Sequence, residues 1–184
     1  MKKAVTYIGL IAGGFLLAAS VQAQSGELSY SYIEGGYSWF DVDGGGDEDG
    51  FNIRGSADLQ NGLYLHGSWD RIETREDLDT YKLGLGFRAN LNDSTDWFVE
   101  ASYFRVDAGN NEADDARVDL GIRTALNNNL ETRVFGGFLF PDSDEYLVGA
   151  DFLIKFNDRF GLSLGAETIE FDVHMVRANV RFSF

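Results

Sequence analysis

The last nine residues, 176–184, alternate between apolar and polar side chains without a break. The apolar set is Val176, Ala178, Val180, Phe182 and Phe184, and the polar set is Arg177, Asn179, Arg181 and Ser183. Side chains alternate between the two faces of a strand, so this segment predicts a strand with one wholly apolar face and one charged face. A membrane barrel suits both faces, because the apolar face meets lipid and the charged face meets a polar interior.

The same segment resembles the assembly signal of bacterial outer-membrane barrels, in which a final Phe follows alternating apolar positions. On that resemblance, Val176, Val180, Phe182 and Phe184 are expected to form the signal. The resemblance implies that periplasmic chaperones and the barrel assembly machinery are partners during biogenesis.

The first 23 residues have the pattern of a cleaved secretory signal. Lys2 and Lys3 precede an almost wholly apolar run, 4–20, and small residues follow it at Val21 and Ala23. A single transmembrane anchor is the alternative, because the run approaches the ~20 residues of a spanning helix. The hypothesis therefore divides the chain into a signal, 1–23, and one outer-membrane domain, 24–184.

Charge excludes one class of partner. Without Lys2 and Lys3, 13 basic and 30 acidic residues remain, a formal charge of −17. A nucleic-acid partner requires a basic face, so none is expected. The chain has no Cys, which excludes a lipoprotein anchor and a disulfide framework.

Ten segments of strand length follow the signal. They are 29–40, 50–60, 63–72, 80–91, 97–106, 116–126, 130–140, 146–156, 160–168 and 175–184. This number predicts an all-β fold, a closed antiparallel up-and-down transmembrane barrel of ten strands, with eight strands as the alternative. Tight turn signals such as Asn61-Gly62 alternate with longer acidic links such as 107–115 and 170–174. Short turns on the periplasmic side and longer loops outside are typical of outer-membrane barrels.

Alternation also predicts which charges face the interior. In the first strand we place Glu34 inward, with Tyr30 and Tyr32, because a carboxylate facing lipid is costly. The predicted lumen charge network is Glu34, Arg54, Asp58, Lys82, Arg88, Glu100, Arg117, Asp119, Arg123, Glu131, Arg133, Asp151, Lys155, Glu167, Arg177 and Arg181, with Asp70 beside it. Inward glycines such as Gly86 and Gly149 would leave room for water. Long arginines among mixed charges instead favour a largely plugged interior.

Three stretches carry a family resemblance: residues 28–37 (LSYSYIEGGY), residues 121–126 (GIRTAL) and the ending 181–184 (RFSF). They are similar to the diffusible-signal-factor-regulated outer-membrane proteins of proteobacteria, and the chain more distantly resembles opacity-type and OmpA-type barrels. The resemblance implies location and architecture, since no settled activity belongs to this family.

Two further motifs suggest chemistry. His66 and Ser68 lie on one strand face and resemble lipid A deacylase barrels, although they would lie near the periplasmic end, away from an outer-leaflet substrate. We interpret His66 as a lumen residue. Asp41, Asp43, Asp47 and Asp49 alternate with glycines like a calcium loop, but the full twelve-residue pattern is missing, which favours a solvated acidic loop.

The sequence therefore favours a non-enzymatic integral outer-membrane barrel with a structural or surface-interaction role, acidic external loops and no cofactor. It is expected to be monomeric, with outer-membrane lipid and lipopolysaccharide as its surroundings. The alternative is a narrow passive, porin-like channel, and a lipid-modifying barrel enzyme comes third.

Overall fold

A computed structural model describes residues 28–42, 46–73, 78–109, 111–140 and 145–184 of the chain. In these residues every regular element is a strand. The strands are β1 (Tyr32–Val42), β2 (Asp47–Gln60), β3 (Leu63–Ile72), β4 (Leu78–Asn92), β5 (Thr95–Ala108), β6 (Asn111–Asn127), β7 (Leu130–Phe140), β8 (Tyr146–Lys155), β9 (Phe160–Ile169) and β10 (Val173–Ser183).

The ten strands form a closed antiparallel barrel in which each strand pairs with the next and β1 pairs with β10. The predicted fold class is confirmed, and the eight-strand alternative is wrong. Closure removes the unpaired strand edges that an open sheet would expose. The described residues contain no helix of the length and hydropathy needed to cross a membrane. The predicted signal peptide, residues 1–23, lies outside the described residues.

The two faces of the wall differ as the alternation predicts. Leu83 and Val180 are about 60% exposed on the outside, whereas Glu34, on the inner face of β1, is 1% exposed. Ile33 and Trp39 lie on the outer face of the same strand, so the preferred register of the first strand is the observed one. The outer wall is therefore apolar, and the buried charges lie on the inner wall.

The four short turns, the residues before β1 and the residue after β10 lie at one rim of the barrel, here called the turn end. The other rim is called the loop end. Asn61 and Gly62 have φ values of 53° and 82°, as a type I′ hairpin requires. Residues 43–45, 74–77, 110 and 141–144, which belong to loop-end connections, lie outside the described residues.

Of two acidic links predicted as long loops, 107–115 is mostly strand and 170–174 is a shorter turn. β5 and β6 remain paired up to Ala108 and Asn111, so only residues 109 and 110 connect them. β9 and β10 are joined by Glu170, Phe171 and Asp172. Asp107, Glu112 and Asp114 lie on the outer face of these two strands. A polar strand beyond the apolar wall can keep its ladder hydrogen bonds while its side chains meet water. The prediction of a loop at 107–115 was wrong for that reason.

Candidate functional site

The lumen contains a continuous chain of ion pairs with alternating sign. In order its members are Arg181, Glu34, Arg54, Asp151, Arg133 and Glu100. The successive contacts are 2.5, 3.6, 3.2, 3.1 and 2.9 Å long. Arg54 lies on β2 and Asp151 on β8, so their contact spans the interior of the barrel. No member exposes more than 15% of its side chain, and the chain therefore crosses the lumen as a buried unit.

A second group of ion pairs joins β6 to β9, on the loop-end side of this chain. The Arg117 guanidinium donates to both carboxylate oxygens of Glu167, at 2.9 and 3.0 Å, and its Nε donates to Asp119 at 2.9 Å. Bidentate geometry of this kind combines charge attraction with fixed orientation. Glu167 and Arg117 therefore hold two non-neighbouring strands together through the interior.

A third group lies behind the seam between β1 and β10. Asn52 Nδ2 donates at 2.9 Å both to Ser38 Oγ and to Asn179 Oδ1, although Asn52 and Asn179 belong to strands on either side of β1. The contact crosses β1 at Gly36, where a side-chain methyl would overlap the Asn179 amide. Arg177 on β10 bonds Asp70 on β3 at 2.9 Å. The seam is therefore fastened by side chains as well as by the backbone ladder.

Two groups lie at the turn end. Arg123 contacts Glu131 at 2.5 Å, and Lys155 contacts the same carboxylate at 3.0 Å. Arg88 lies between Asp58, at 2.9 Å, and Asp96, at 3.3 Å.

Asp96 is 1% exposed and is a lumen residue that sequence reasoning missed. The fifth segment was predicted to begin at Trp97, whereas β5 begins at Thr95. The strand parity of β5, continued by one residue, would have placed Asp96 on the same face as Glu100. Lys82, from the predicted network, forms no ion pair within 4.0 Å with the residues that the structure describes.

Apolar rings fill the space beside the charges. Phe98 and Phe135 pack with Leu139 and Leu147, and the Arg133 guanidinium lies 4.4 and 4.2 Å from the two ring centres. A cation over an aromatic face is attracted by the ring quadrupole, more strongly when both are desolvated. The same arginine thus contacts two carboxylates and two rings.

The inward glycines do not provide water-filled space. A methyl group added to Gly86 would overlap the Tyr64 ring, and one added to Gly149 would overlap the Phe135 ring. The corresponding methyl on Gly137 would overlap the Asp119 carboxylate. The expectation of space for water was wrong at these positions, because side chains from neighbouring strands occupy it.

A cavity of about 30 Å³ lies in the turn-end half of the lumen. Its lining includes Tyr30, Ser56, Tyr64 and Glu131. A water molecule needs about 10–15 Å³ of such space, so the cavity holds about two waters.

His66 is buried among these groups. Its Nδ1 is 3.9 Å from Glu100, the side chain is 7% exposed, and Nε2 makes no hydrogen bond with any described residue. Tyr64 Oη donates to the same carboxylate at 2.9 Å. Nucleophilic catalysis needs a hydroxyl in hydrogen-bond reach of the imidazole, and no such contact exists among the described residues.

The calcium candidates lie at the loop end. Asp41 and Asp47 are direct cross-strand partners, and Asp49 opposite Trp39 is exposed. Asp43 lies outside the described residues. No group of three or more described His, Cys, Asp or Glu residues is arranged to hold a metal ion.

Electrostatic strain is visible at the loop end in Glu145, which precedes β8. Partial burial, together with the nearby carboxylates of Glu170 and Asp115, raises the pKa of Glu145 above its ordinary value. Nearby negative charges disfavour the ionised form of a carboxyl group.

The terminal strand places its predicted signal residues on the outer wall. Val176, Val180 and Phe184 are 46%, 59% and 71% exposed. The Phe182 ring lies 5.2 Å from Phe160 and 6.3 Å from Phe184. The strand therefore ends in an aromatic cluster at the outside of the turn end.

Neither a comparison with models of protein families nor one with curated proteins gave a match. Among solved structures, the KdgM porin is similar with a TM-score of 0.50 and 12% identity, over 83% of this chain and 99% of that chain. The N-terminal β-barrel domain of Pseudomonas aeruginosa OprF has a TM-score of 0.41 and 12% identity, over 85% and 100%. The outer-membrane phospholipase OMPLA of Salmonella typhi has 0.44 and 13%, over 84% and 91%. At these identities, the likeness to the KdgM porin shows that the two chains share a β-barrel fold.

Proposed function

We propose that this chain is a non-enzymatic integral barrel of the bacterial outer membrane with a structural or surface-interaction role and a charge-paired, largely plugged lumen. The observation that carries the proposal is the ion-pair chain that runs from Arg181 through Asp151 to Glu100 across the interior. In this proposal, residues 1–23 are a signal removed on export and residues 24–184 form the barrel.

The outer wall supports insertion in a membrane. Large apolar side chains such as Leu85, Leu120 and Phe138 are 55–62% exposed around the barrel. In water, a contiguous apolar surface of this kind would drive association, whereas in lipid it is the required exterior. Trp39 and Tyr146, near the loop end, have the amphipathic rings that favour the headgroup region.

The interior supports closure. Burying a charge costs several kcal/mol unless it is paired and hydrogen-bonded, and the chain of alternating charges supplies such partners on strands that are not neighbours. An open pore would leave these side chains hydrated and free to separate. The observed contacts instead join side chains from opposite walls, beside a cavity of about 30 Å³.

The test is conductance in planar lipid bilayers. The unmodified protein is expected to conduct far less than a porin. The triple variant Arg54→Ser, Arg123→Ser, Arg133→Ser is expected to raise conductance, because it removes three long luminal side chains, and to lower resistance to unfolding.

A matched control is Arg105→Ser, which removes an arginine bonded to Asp107 on the outer face of β5 and should leave conductance unchanged. Large, stable openings in the unmodified protein would instead establish the narrow passive channel.

The remaining parts of the proposal concern partners. We propose a monomer whose partners are outer-membrane lipid and lipopolysaccharide, with periplasmic chaperones and the barrel assembly machinery acting during biogenesis. The resemblance to the diffusible-signal-factor-regulated outer-membrane proteins supports this setting. The burial of His66 supports the absence of catalysis, since a lipid substrate would have to enter the closed lumen.

A further inference from the structure

The residues before β1 enter the lumen. The first segment was predicted to begin at 29, but β1 begins at Tyr32, and Tyr30 is 5% exposed. The guanidinium carbons of Arg88 and Arg123 lie 4.4 and 4.7 Å from its ring centre, and the Tyr64 ring lies 4.9 Å away. The ring is therefore held between two arginines and a second tyrosine.

The backbone on either side of Tyr30 is anchored by a small number of hydrogen bonds. Arg123 Nη1 donates to the Ser29 carbonyl at 2.8 Å, and the Ser31 hydroxyl accepts from the Asp58 amide at 3.1 Å. The Phe184 amide donates to the Ser31 carbonyl at 3.1 Å. The segment is thus fixed at the seam of the barrel, although Tyr30 and Ser29 lie outside the strand ladder.

The position of this segment is the turn end of the lumen. Arg88 lies near the last residue of β4, and Arg123 near the last residue of β6. Tyr30 also lines the cavity of about 30 Å³, together with Arg133 and Asp151 of the ion-pair chain. The tyrosine therefore lies between this cavity and the mouth at the turn end.

We propose that residues 28–31 form a plug that closes the turn-end mouth of the lumen, with the Tyr30 ring as its stopper. The proposal rests on the closed lumen argued above and adds that this mouth can open independently. Withdrawal of the plug breaks ring contacts and the three hydrogen bonds given above. One of these, from the Phe184 amide to the Ser31 carbonyl, extends the seam, but the paired residues Tyr32–Val42 of β1 keep their partners, so the barrel can remain intact. Arg88 keeps Asp58 and Arg123 keeps Glu131, so the exposed arginines remain paired.

An opened mouth would admit water and small solutes as far as the cavity and no further. The ion-pair chain and the Arg117 group still obstruct the path to the loop end. The plug would therefore control access from one side only. Conductance tests the proposed closed lumen, and one-sided access to the cavity tests the plug, so the failure of one can be told from the failure of the other.

The experiment uses thiol labelling, since the chain has no native Cys. Ser56→Cys places a thiol at a cavity-lining position that is 7% exposed. The mature protein, folded in detergent micelles, is treated with a small charged methanethiosulfonate, and the modification rate is measured by mass spectrometry. Adding Tyr30→Ala is expected to raise the rate at least ~10-fold. Tyr30→Phe should leave it unchanged, because phenylalanine keeps the ring that lies between Arg88 and Arg123.

Two controls separate an opened mouth from a loosened barrel. Tyr37→Ala removes an outward tyrosine and should not change the rate at position 56. A thiol at Ser38→Cys, which lies fully buried towards the loop end, should stay slow with Tyr30→Ala. Acceleration at both thiols, or at neither, overturns the plug. If Tyr30→Ala does not fold, Tyr30→Leu keeps apolar volume without the cation contact, and an unchanged rate in that variant equally overturns it.

Discussion

Asp151 joins two arginines from opposite walls, so Asp151→Asn tests whether the ion-pair chain stabilises the barrel. Its two oxygens lie 3.2 Å from Arg54 Nη1 and 3.1 Å from Arg133 Nη1, and 12% of the side chain is exposed. Asparagine keeps the shape and removes the charge. The two guanidiniums would then share a buried region with one fewer counter-charge.

The magnitude follows from these contacts. At an effective dielectric constant of about 20, each contact near 3 Å corresponds to roughly 5 kcal/mol of attraction before desolvation is counted. The variant also regains the desolvation cost of the aspartate, which is several kcal/mol. Arg54 keeps Glu34 and Arg133 keeps Glu100, so we expect a loss of about 3 kcal/mol, the lower end of the range for a broken buried pair.

The assay is reversible urea unfolding in phospholipid vesicles, followed by tryptophan fluorescence and by electrophoretic mobility. Asp107→Asn is the control, because its carboxylate accepts from Arg105 Nε at 2.8 Å on the half-exposed outer face. An exposed pair contributes little to stability, because water screens it. In an Arg133→Met background the cost of Asp151→Asn should shrink, since the two residues share a contact. Equal losses from Asp151→Asn and Asp107→Asn would refute the reasoning.

Three further predictions concern the seam, the terminus and the loop end. Gly36→Ala should lower the free energy of unfolding by about 1–3 kcal/mol, because its methyl overlaps Asn179. The control is the neighbouring Gly35→Ala, whose methyl would lie 3.8 Å from the nearest atom and should change little in the same urea assay. Deletion of Phe184 should lower the amount of folded, heat-modifiable barrel in the outer membrane and raise periplasmic degradation. Phe156→Ala, at a similarly exposed position, is the control. Full abundance of the Phe184 deletion variant would contradict the assembly signal. Glu145→Gln should stabilise the protein at pH 8 and not at pH 4. Because the pKa of Glu145 is raised in the folded state, the free energy of unfolding falls as the pH rises through that pKa, and glutamine removes this loss. An effect of equal size at both pH values would count against this cause.

Local chemistry explains how much of the fold could be predicted. β3 and β7 have the predicted bounds, because turn residues such as Asn61 and Gly62 stop the alternation sharply. β5 and β6 extend past their predicted ends, since alternating acids in water satisfy a strand as well as a loop. Sequence patterns describe side-chain chemistry and period, but they do not say where a barrel wall leaves the membrane.

The alternation of side chains was enough to predict which face of each strand is apolar and which is charged, because a period of two assigns every side chain to one of two media. It did not determine which charges meet. Arg54 and Asp151 are 97 residues apart, and their contact depends on the strand number and the stagger of the closed barrel. The same holds for Tyr30, whose sequence continues the strand pattern although it lies between Arg88 and Arg123 in the lumen. Only closure brings six strands around one space narrow enough for their side chains to touch, and that geometry decided that the interior is filled.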